Sequence, residues 1–377
     1  MKQSDFAGRV TVDIATRMVG DEEDIFIVQP GRKYWLYEHY KRSKHVFLDF
    51  PGLDLEFSKP APLDRALRQM VVRSLAISEW LQDGKKGVQP ADDLKAYVGK
   101  DKRRRLGRYV GAIKRLYWGM KPGTIIVVPG PNFDDDVLIG EIVGTPTMLR
   151  NEAIYPGYMA PAREVKWLRS KPRAAFSRDV RDRFGTPNPI MQLDRSLRKE
   201  ILRAGYDQYA FDNEFTARLN TTQDDFSSLD DYNIQTFVNY VSGVLLALEE
   251  GQTREITFKD AIDRLRKQPD EAPELKLNIN SIGFQRLIAE TVKPLVIAAL
   301  LSAALVPGAS AQLAPPTIEV SNTIGGEGDE CTIMVSKKVE GALKLMRLED
   351  WKMVCEAAQD AHNATGLSTT MRAQRES

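Results

Sequence analysis

Alternating and periodic apolar positions predict short strands and two helices in the first half of the chain. Apolar runs bounded by turn residues predict strands at 24–28, 45–50, 124–129, 137–143 and 163–168. Apolar residues at helical spacing predict helices at 62–82 and 101–119. The runs at 124–129 and 137–143 form the clearest hairpin, because both are β-branched and a Gly- and Asp-rich connection separates them.

The second half has longer apolar stretches with polar segments between them. Apolar periodicity predicts helices at 233–248, which Gly251 would end, and at 348–362. Short apolar runs predict strands at 275–279 and 331–336. We expect irregular structure in the remaining polar segments, namely an acidic loop at 205–230, a linker at 266–273, a Pro- and Gly-rich stretch at 312–330 and a disordered tail after Gly366.

One apolar run, at 295–306, allows two interpretations. Twelve unbroken apolar residues suit a buried core or interface helix, because a membrane-spanning helix needs about 20. Extended to 291–311, the segment is long enough to span but includes one lysine and two prolines. We expect a core helix, and a membrane segment at 291–311 is the alternative.

Charge is divided unevenly along the chain. Residues 1–200 carry 36 Lys and Arg against 26 Asp and Glu, a formal charge of +10. Residues 201–377 carry 17 against 26, a formal charge of −9. Because basic side chains neutralise phosphates, nucleic acid is the expected partner of the first half. A solvated surface whose charges happen to segregate is the alternative.

Catalytic and metal-binding motifs are scarce. Cys331 and Cys355 are too few for a disulfide framework or a four-thiolate zinc site, and three scattered histidines do not form a metal cluster. The chain has no Walker A motif, Gly-x-Ser-x-Gly motif or Cys/His nucleophile pair. We therefore predict no metal and no cofactor. The N-terminus has no apolar signal region, so we expect a cytoplasmic protein.

Three segments of the first half occur in a familiar order. They read KPGTIIVVPG at 121–130, IGEIVG at 139–144 and REVKWL at 163–168. This order resembles the PUA-like, EVE-type modules that precede Mrr-type, modification-dependent restriction endonucleases, over about residues 20–200. The sequence departs from that family at Thr124, where Asp is common, and by an insertion between Gly144 and Arg163.

The resemblance implies a small closed β-barrel that accepts a modified base flipped out of a duplex. A flipped base needs an aromatic slot, for which Trp35 and Tyr37 are the first candidates because they share one face of an extended stretch. Trp118 and Trp167 are further candidates. Basic residues would hold the phosphate backbone, and those we assign to it are Lys33, Lys102, Arg103, Arg104, Arg105, Arg108 and Arg163.

In those restriction enzymes the reader module accompanies a nuclease, whose Asp and Glu-x-Lys bind Mg²⁺ and orient a water molecule. The approximate match in this chain is Glu274-Leu275-Lys276, with Asp263 as the upstream carboxylate. Asp260 and Asp270 are the other upstream candidates. A nuclease also needs its Asp on a strand beside Glu-x-Lys, whereas Asp263 lies in a stretch with helical pattern.

We therefore predict an α+β chain with an N-terminal PUA-like β-barrel and flanking helices, followed by a mostly helical region with a few strands. The predicted parts are a nucleic-acid-binding domain at 1–203, an acidic helical domain or connector at 204–268, an α+β region at 269–365 that includes an apolar helix at 294–306, and a disordered tail at 366–377.

The predicted function is that of a nucleic-acid-binding sensor in a bacterial anti-phage defence or modification-dependent restriction system. DNA is favoured over RNA as its ligand, and modified bases are the candidate signal. The second half would assemble a homo-oligomer or couple to a partner effector protein. The alternatives are an effector that acts on a membrane through 291–311 and a divergent Mg²⁺-dependent nuclease.

Overall fold

The computed structural model describes residues 9–100, 106–150, 153–223, 226–278, 283–307, 316–325 and 328–375. It is a mixed α and β structure, as the sequence predicts. The strands in this part of the chain are β1 (Arg9–Asp13), β2 (Arg17–Val19), β3 (Ile25–Val28), β4 (His45–Val46), β5 (Ile125–Val128), β6 (Asp136–Arg150), β7 (Met159–Pro172), β8 (Ile190–Gln192), β9 (Tyr209–Phe211), β10 (Glu214–Thr221), β11 (Glu274–Asn278), β12 (Gly283–Ala289), β13 (Thr317–Ser321), β14 (Ser368–Thr369) and β15 (Arg372–Arg375).

The α-helices in the same part of the chain are α1 (Tyr37–Arg42), α2 (Asp64–Gln82), α3 (Leu106–Lys114), α4 (Arg178–Phe184), α5 (Arg195–Gly205), α6 (Ser228–Glu249), α7 (Phe258–Lys267), α8 (Lys293–Ala304), α9 (Glu330–Leu345) and α10 (Leu348–Thr365). Helix α3 continues directly into a π-helical turn, Arg115–Gly119.

The chain forms two compact units. The basic unit is Glu22–Tyr206, and the acidic unit is Met1–Asp21 with Asp207–Ser377. Their formal charges are +11, from 34 basic and 23 acidic residues, and −10, from 19 and 29. The predicted boundaries are corrected in two respects. Strands β1 and β2 belong with the second half of the chain, and the predicted parts 204–268 and 269–365 are one unit.

One six-stranded sheet, in the order β4-β7-β6-β5-β3-β8, organises the basic unit. Strand β5 is buried along its whole length, which explains its continuous run of Ile and Val. It pairs in parallel with β3 and antiparallel with β6, so β5 and β6 form the predicted hairpin, and β6 also pairs antiparallel with β7. In the part of the chain that the structure describes, the sheet is open, so a closed barrel is not confirmed.

Two details of the basic unit differ from the prediction. The strand expected at 45–50 pairs only at His45–Val46, because the chain then turns inward: Phe50 N–H donates to Leu48 O at 2.7 Å, and Pro51-Gly52 follows. The insertion between Gly144 and Arg163 mainly lengthens the β6–β7 hairpin, in which Arg150 pairs with Met159. The helix predicted at 62–82 is confirmed as α2, with Leu67, Val71 and Ile77 in the core.

Helix α8 lies at the centre of the acidic unit, and each of its twelve residues is buried. Two sheets belong to this unit, β13-β1-β15 and β11-β12-β10-β9-β2, and β14 pairs with β10. The expected core helix is thus confirmed. Among the described residues, no helix has both the length and the apolar character needed to cross a membrane.

Three predictions for the acidic unit are wrong. The acidic segment at 205–230 contains β9 and β10, whose polar residues alternate with the buried Ala217 and Leu219. The strand predicted at 331–336 is the first part of α9, which begins after the capping residue Asp329. The chain beyond Gly366 is not a disordered tail, because β14 and β15 pair with β10 and β1.

Candidate functional site

The turn that leads to Trp35 has unusual backbone geometry. Gly31, Lys33 and Tyr34 have φ angles of 71°, 59° and 60°, all in the left-handed region. This region is rare for a bulky residue such as tyrosine, and such strain persists only where the surrounding structure enforces it. Here the Tyr34 hydroxyl and the Gln29 side chain both donate to Phe184 O, at 3.3 and 2.8 Å. The turn is therefore held from both sides.

The strained turn presents the indole ring of Trp35 to solvent. The residue is 44% exposed, yet its ring is fixed, because Nε1–H donates to Asp49 Oδ2 at 2.8 Å. The other Asp49 oxygen, Oδ1, accepts the Tyr155 hydroxyl proton at 2.8 Å. The Trp35 and Tyr155 rings meet edge to face with centroids 5.9 Å apart. Asp49 thus orients an exposed tryptophan against a buried tyrosine.

Tyr155 remains a hydrogen-bond donor to Asp49 at neutral pH. Burial, and then the charge and hydrogen bond of the Asp49 carboxylate, raise the pKa of its hydroxyl far above the usual range. Beneath it, the Phe47 ring packs edge to face on Tyr155, His39 and Tyr40. This aromatic layer makes the support of Trp35 rigid, which favours binding of a flat ligand on the exposed indole face.

Two basic residues of the same turn are available for an anionic ligand. Arg32 and Lys33 are exposed, and neither forms an ion pair within the described part of the chain. Lys33 thus lies on the surface two residues before the exposed Trp35. The combination of a fixed aromatic face with adjacent cations suits a base and its phosphate.

The predicted pairing of Trp35 with Tyr37 is wrong. The stretch is not extended, because a 3₁₀ turn at Arg32–Tyr34 leads into α1 at Tyr37. Tyr37 points into the core, and its hydroxyl donates to Asp136 O at 2.7 Å. Tyr37 is therefore structural, and the residue that lies beside Trp35 is Tyr155.

Arg163 is also a structural residue, in contrast to the prediction. Its side chain is 2% exposed, and its guanidinium donates to three backbone carbonyls: Leu116 O at 3.1 Å, Met120 O at 2.8 Å and Gly144 O at 3.0 Å. Burial lowers its pKa below the usual value. These bonds connect the end of the π-helical turn to the β6–β7 hairpin, so the side chain does not reach a phosphate.

The remaining predicted site residues have mixed outcomes. Lys102, Arg103, Arg104 and Arg105 lie outside the described residues. Arg108, on α3, is half-buried with its guanidinium over the Tyr109 ring, 5.2 Å from the centroid. Trp118 and Trp167 are partly buried and donate to the backbone oxygens of Lys59 and Ser43. These two tryptophans pack in the basic unit, so Trp35 is the strongest aromatic candidate.

The structure does not assemble the candidate nuclease residues. Glu274 and Lys276 lie on β11, where strand pairing places Ile288 opposite Glu274 and Arg286 opposite Lys276. No carboxylate therefore faces Glu274 across the strand pair. Asp263 lies on α7 and is paired with Lys259 at 2.9 Å. Among the described residues, no three His, Cys, Asp or Glu side chains are grouped to hold a metal ion.

A surface cavity of about 710 Å³ opens in the acidic unit between α8, α10 and the C-terminal strands. Several of the polar side chains that line it are hydrogen-bonded to one another or to the backbone. Ser302 Oγ and Thr369 Oγ1 are 2.6 Å apart, and His362 Nδ1 lies 2.7 Å from Leu367 O. The cavity therefore offers no activated nucleophile, and the site in the basic unit has the clearer chemistry.

Sequence reasoning missed Asp49 and Tyr155. Asp49 is 14 positions from its partner Trp35 and 106 positions from its partner Tyr155, so the contacts are distant in the sequence. A carboxylate between two phenylalanines, in the segment Phe47 to Phe50, was the available signal, because a buried or half-buried acid needs a donor. That signal does not identify the donor.

Comparisons with protein-family models, with curated proteins and with solved structures found no match to this chain.

Proposed function

We propose that the basic unit binds nucleic acid and stacks a nucleobase on the exposed face of Trp35. The observation that carries this proposal is the geometry of the ring: Trp35 is exposed, and Asp49 fixes its N–H edge. An aromatic ring that is already positioned stabilises a stacked base with a smaller loss of side-chain entropy on binding. The neighbouring Arg32 and Lys33 supply charge for the phosphates, within a unit whose formal charge is +11.

The resemblance to PUA-like, EVE-type modules supports a more specific version of this function. In it, the ring receives a base flipped out of a duplex, and modified cytosines are the candidate signal. The chain would then act as a sensor in anti-phage defence or modification-dependent restriction. The acidic unit would mediate assembly or couple to a partner effector. Its formal charge is opposite to that of the basic unit, so its surface suits a different partner.

The test is binding of the full chain to fluorescent DNA across a salt series. Duplexes with unmodified cytosine, 5-methylcytosine and 5-hydroxymethylcytosine, and a single strand, are compared for the native protein and for Trp35→Ala. Because stacking contributes about 1–3 kcal/mol per base, Trp35→Ala should weaken binding roughly 5- to 150-fold. Tyr232→Ala, which removes a 65% exposed aromatic residue from the acidic unit, is the matched control.

The outcomes separate three conclusions. Preferential binding of one modified duplex that depends on Trp35 supports the base-reading version. Salt-sensitive binding that Trp35→Ala leaves unchanged would mean that the unit binds only the phosphate backbone of nucleic acid. Absence of binding at about 50 mM salt, where phosphate contacts are strong, disproves the proposed function.

A further inference from the structure

A second exposed aromatic ring of the basic unit, Phe133, has the features of a binding residue. It is 56% exposed, at the tip of the loop between β5 and β6. The Arg181 guanidinium lies over the ring, with Cζ 5.3 Å from its centroid. One face of the ring is thus covered by a cation. Single exposed apolar residues are common on protein surfaces, so what distinguishes Phe133 is how its ring is held and covered.

The loop that carries Phe133 is held firmly. Asn132 donates to Asp135 Oδ2 through both its backbone N–H and its side chain, each at 2.8 Å. Ala174 N–H donates to Phe133 O at 3.1 Å, and Arg173 N–H donates to Asp135 O at 2.9 Å. The ring is therefore positioned before any ligand arrives, as the indole of Trp35 is.

Arg181 is fixed as well. Its Nη1 donates to Phe176 O at 2.9 Å and to Ala174 O at 3.4 Å. The two hydrogen bonds hold the guanidinium over the phenyl ring in a cation–π contact. Arg181 is thus a positioning residue for Phe133.

Phe184 contacts the Trp35 turn directly and the Phe133 loop through Arg173. Tyr34, next to Trp35, donates to Phe184 O at 3.3 Å. Arg173 lies over the Phe184 ring and donates to Gly130 O at 3.4 Å and to Arg181 O at 3.3 Å. Phe184 and Arg173 therefore link the supports of the two exposed rings within the basic unit.

The charges around Phe133 favour a base over a phosphate. Asp134 and Asp135 adjoin the ring in the chain, and Asp136 follows, 3.9 Å from Lys41. Carboxylates repel phosphate but do not oppose stacking of a neutral base. The contribution of Phe133 to binding should therefore be independent of salt.

We propose that Phe133, backed by Arg181, is a second base-stacking site, so that the basic unit takes two unpaired nucleobases of one single strand, on Trp35 and on Phe133. This inference rests on the proposed function and specifies its ligand as a strand with at least two unpaired bases. The two rings would act as separate stacking platforms joined by the backbone of the ligand.

The test measures binding of the full chain to a labelled 12-nucleotide DNA single strand, from about 50 to 300 mM salt. Phe133→Ala should weaken binding roughly 5- to 150-fold at every salt concentration and leave the salt dependence unchanged. Phe133→Leu retains apolar bulk and should lose nearly as much, because it has no aromatic face. Phe133→Trp should retain binding. Leu63→Ala, which removes an 81% exposed residue of the same unit, is the control and should have no effect.

The variants separate failure of this inference from failure of the proposed function. If Trp35→Ala weakens binding and Phe133→Ala and Phe133→Leu do not, the second site is wrong and the first stands. If Phe133→Leu binds as tightly as the native protein, the ring serves only packing, and the inference is also wrong. If the native protein binds the duplexes but not the single strand, the second site is wrong and the proposed function stands, and if it binds neither, both are wrong.

Discussion

At the scale of single residues, the position of Trp35 depends on Gly31. A side chain at Gly31 would meet the indole ring directly: a Cβ there would lie 2.7 Å from Trp35 Nε1 and 2.8 Å from Cδ1. The φ of 71° adds a second reason for glycine, because other residues rarely adopt it. The absence of a side chain at Gly31 therefore leaves the space that the Trp35 indole ring occupies.

Gly31→Ala is expected to displace Trp35 and to weaken nucleic-acid binding nearly as much as Trp35→Ala does. Backbone strain should also lower the free energy of unfolding by about 1–2 kcal/mol. Gly84→Ala is the matched control, since Gly84 has a φ of 69° in the same unit but no atom within 4 Å of a Cβ. Both variants should lose stability in urea unfolding, and only Gly31→Ala should lose affinity. Equal affinity of the two would show that the ring does not depend on Gly31.

Arg163→Met tests whether Arg163 is structural. The substitution keeps apolar length but leaves three carbonyls, two of them buried, without their donor, so it should lower the free energy of unfolding by about 3 kcal/mol. Lys166→Met, at an exposed position of the same strand, should change stability little. Urea unfolding of both variants is the measurement. A stable Arg163→Met protein with reduced DNA affinity would restore the phosphate-binding role that the sequence suggested.

At the scale of helices and strands, α6 and α7 approach unusually closely. A Cβ at Gly243 would overlap the backbone of Ala261 on α7, whereas a Cβ at Gly341 on α9 would meet only the side-chain methyls of Leu248 on α6. Backbone atoms cannot move without shifting a whole helix, while a leucine side chain can change its conformation. The two glycines therefore serve helix packing to different degrees.

Gly243→Ala should destabilise the acidic unit by about 1–3 kcal/mol or more, despite the higher helix propensity of alanine. Gly341→Ala should lower the free energy of unfolding clearly less, because the Leu248 side chain can change its conformation. The higher helix propensity of alanine also offsets part of the strain. Thermal and urea unfolding of the two variants compare these effects. Equal losses for the two would mean that the close approach of α6 and α7 is not rigid.

A charged cluster also joins helices of the acidic unit. Glu249 on α6 accepts from Lys293 at the start of α8, at 3.1 Å, and from Lys338 on α9, at 2.9 Å. Burial raises the pKa of Glu249, but the hydrogen bonds from Lys338 and Lys293 outweigh it, so the pKa lies below the usual value. Protonation of Glu249 is therefore harder in the folded protein than in the unfolded chain.

The pH dependence of stability follows from that direction. A lowered carboxyl pKa contributes stability above the unfolded value of 4.5, and this contribution is lost as the pH falls through 4.5 towards the folded value. The urea midpoint of the acidic unit should fall in this range, and Glu249→Gln should have a shallower pH dependence there. Parallel pH profiles of the native protein and Glu249→Gln would contradict the assignment.

Local patterns predicted some elements and misassigned others for identifiable reasons. The helix at 233–248 was predictable, because its apolar period continues without a breaker and a capping box opens α6 at Ser227. The short apolar run 331–336 predicts a strand, but Val335, Val339 and Ala342 continue the buried positions at helical spacing, and the segment is helical. The contact of Trp35 with Asp49 depends on folding of the whole unit, so no local pattern could reveal it.

At the scale of the whole molecule, the basic unit is an insertion in the acidic unit. The chain leaves the acidic unit after β2 and returns at β9, and these two strands are parallel neighbours, with Val19 opposite Phe211. Strand β1 lies between β13 and β15. This arrangement explains why boundaries drawn from local composition failed: the pairing of Arg9 with Thr317 joins opposite ends of the chain.

Fragments should reveal the insertion. Residues 22–206 are expected to fold alone with a cooperative urea transition, because the sheet and core of the basic unit lie within them. Residues 207–377 should not fold, because they lack β1, the middle strand of its sheet. A chain that joins residues 1–21 to 207–377 through a flexible linker of about ten residues should recover the fold. A cooperative transition in 207–377 alone would disprove the dependence on β1.

The pairing of β1 also determines when the acidic unit can be completed during synthesis. Both partners of β1 follow it by more than 300 residues, since Arg9 pairs with Thr317 and Val10 with Arg375. A ribosome that adds 5–20 residues per second needs roughly 15 to 60 s to cover that distance. During this time the basic unit can fold as a contiguous segment. Strand β1 has no partner strand until its partners are synthesised, and it can pair with other chains. Translation speed, and chaperones that shield the nascent N-terminus, should therefore decide how much of the protein reaches its native state.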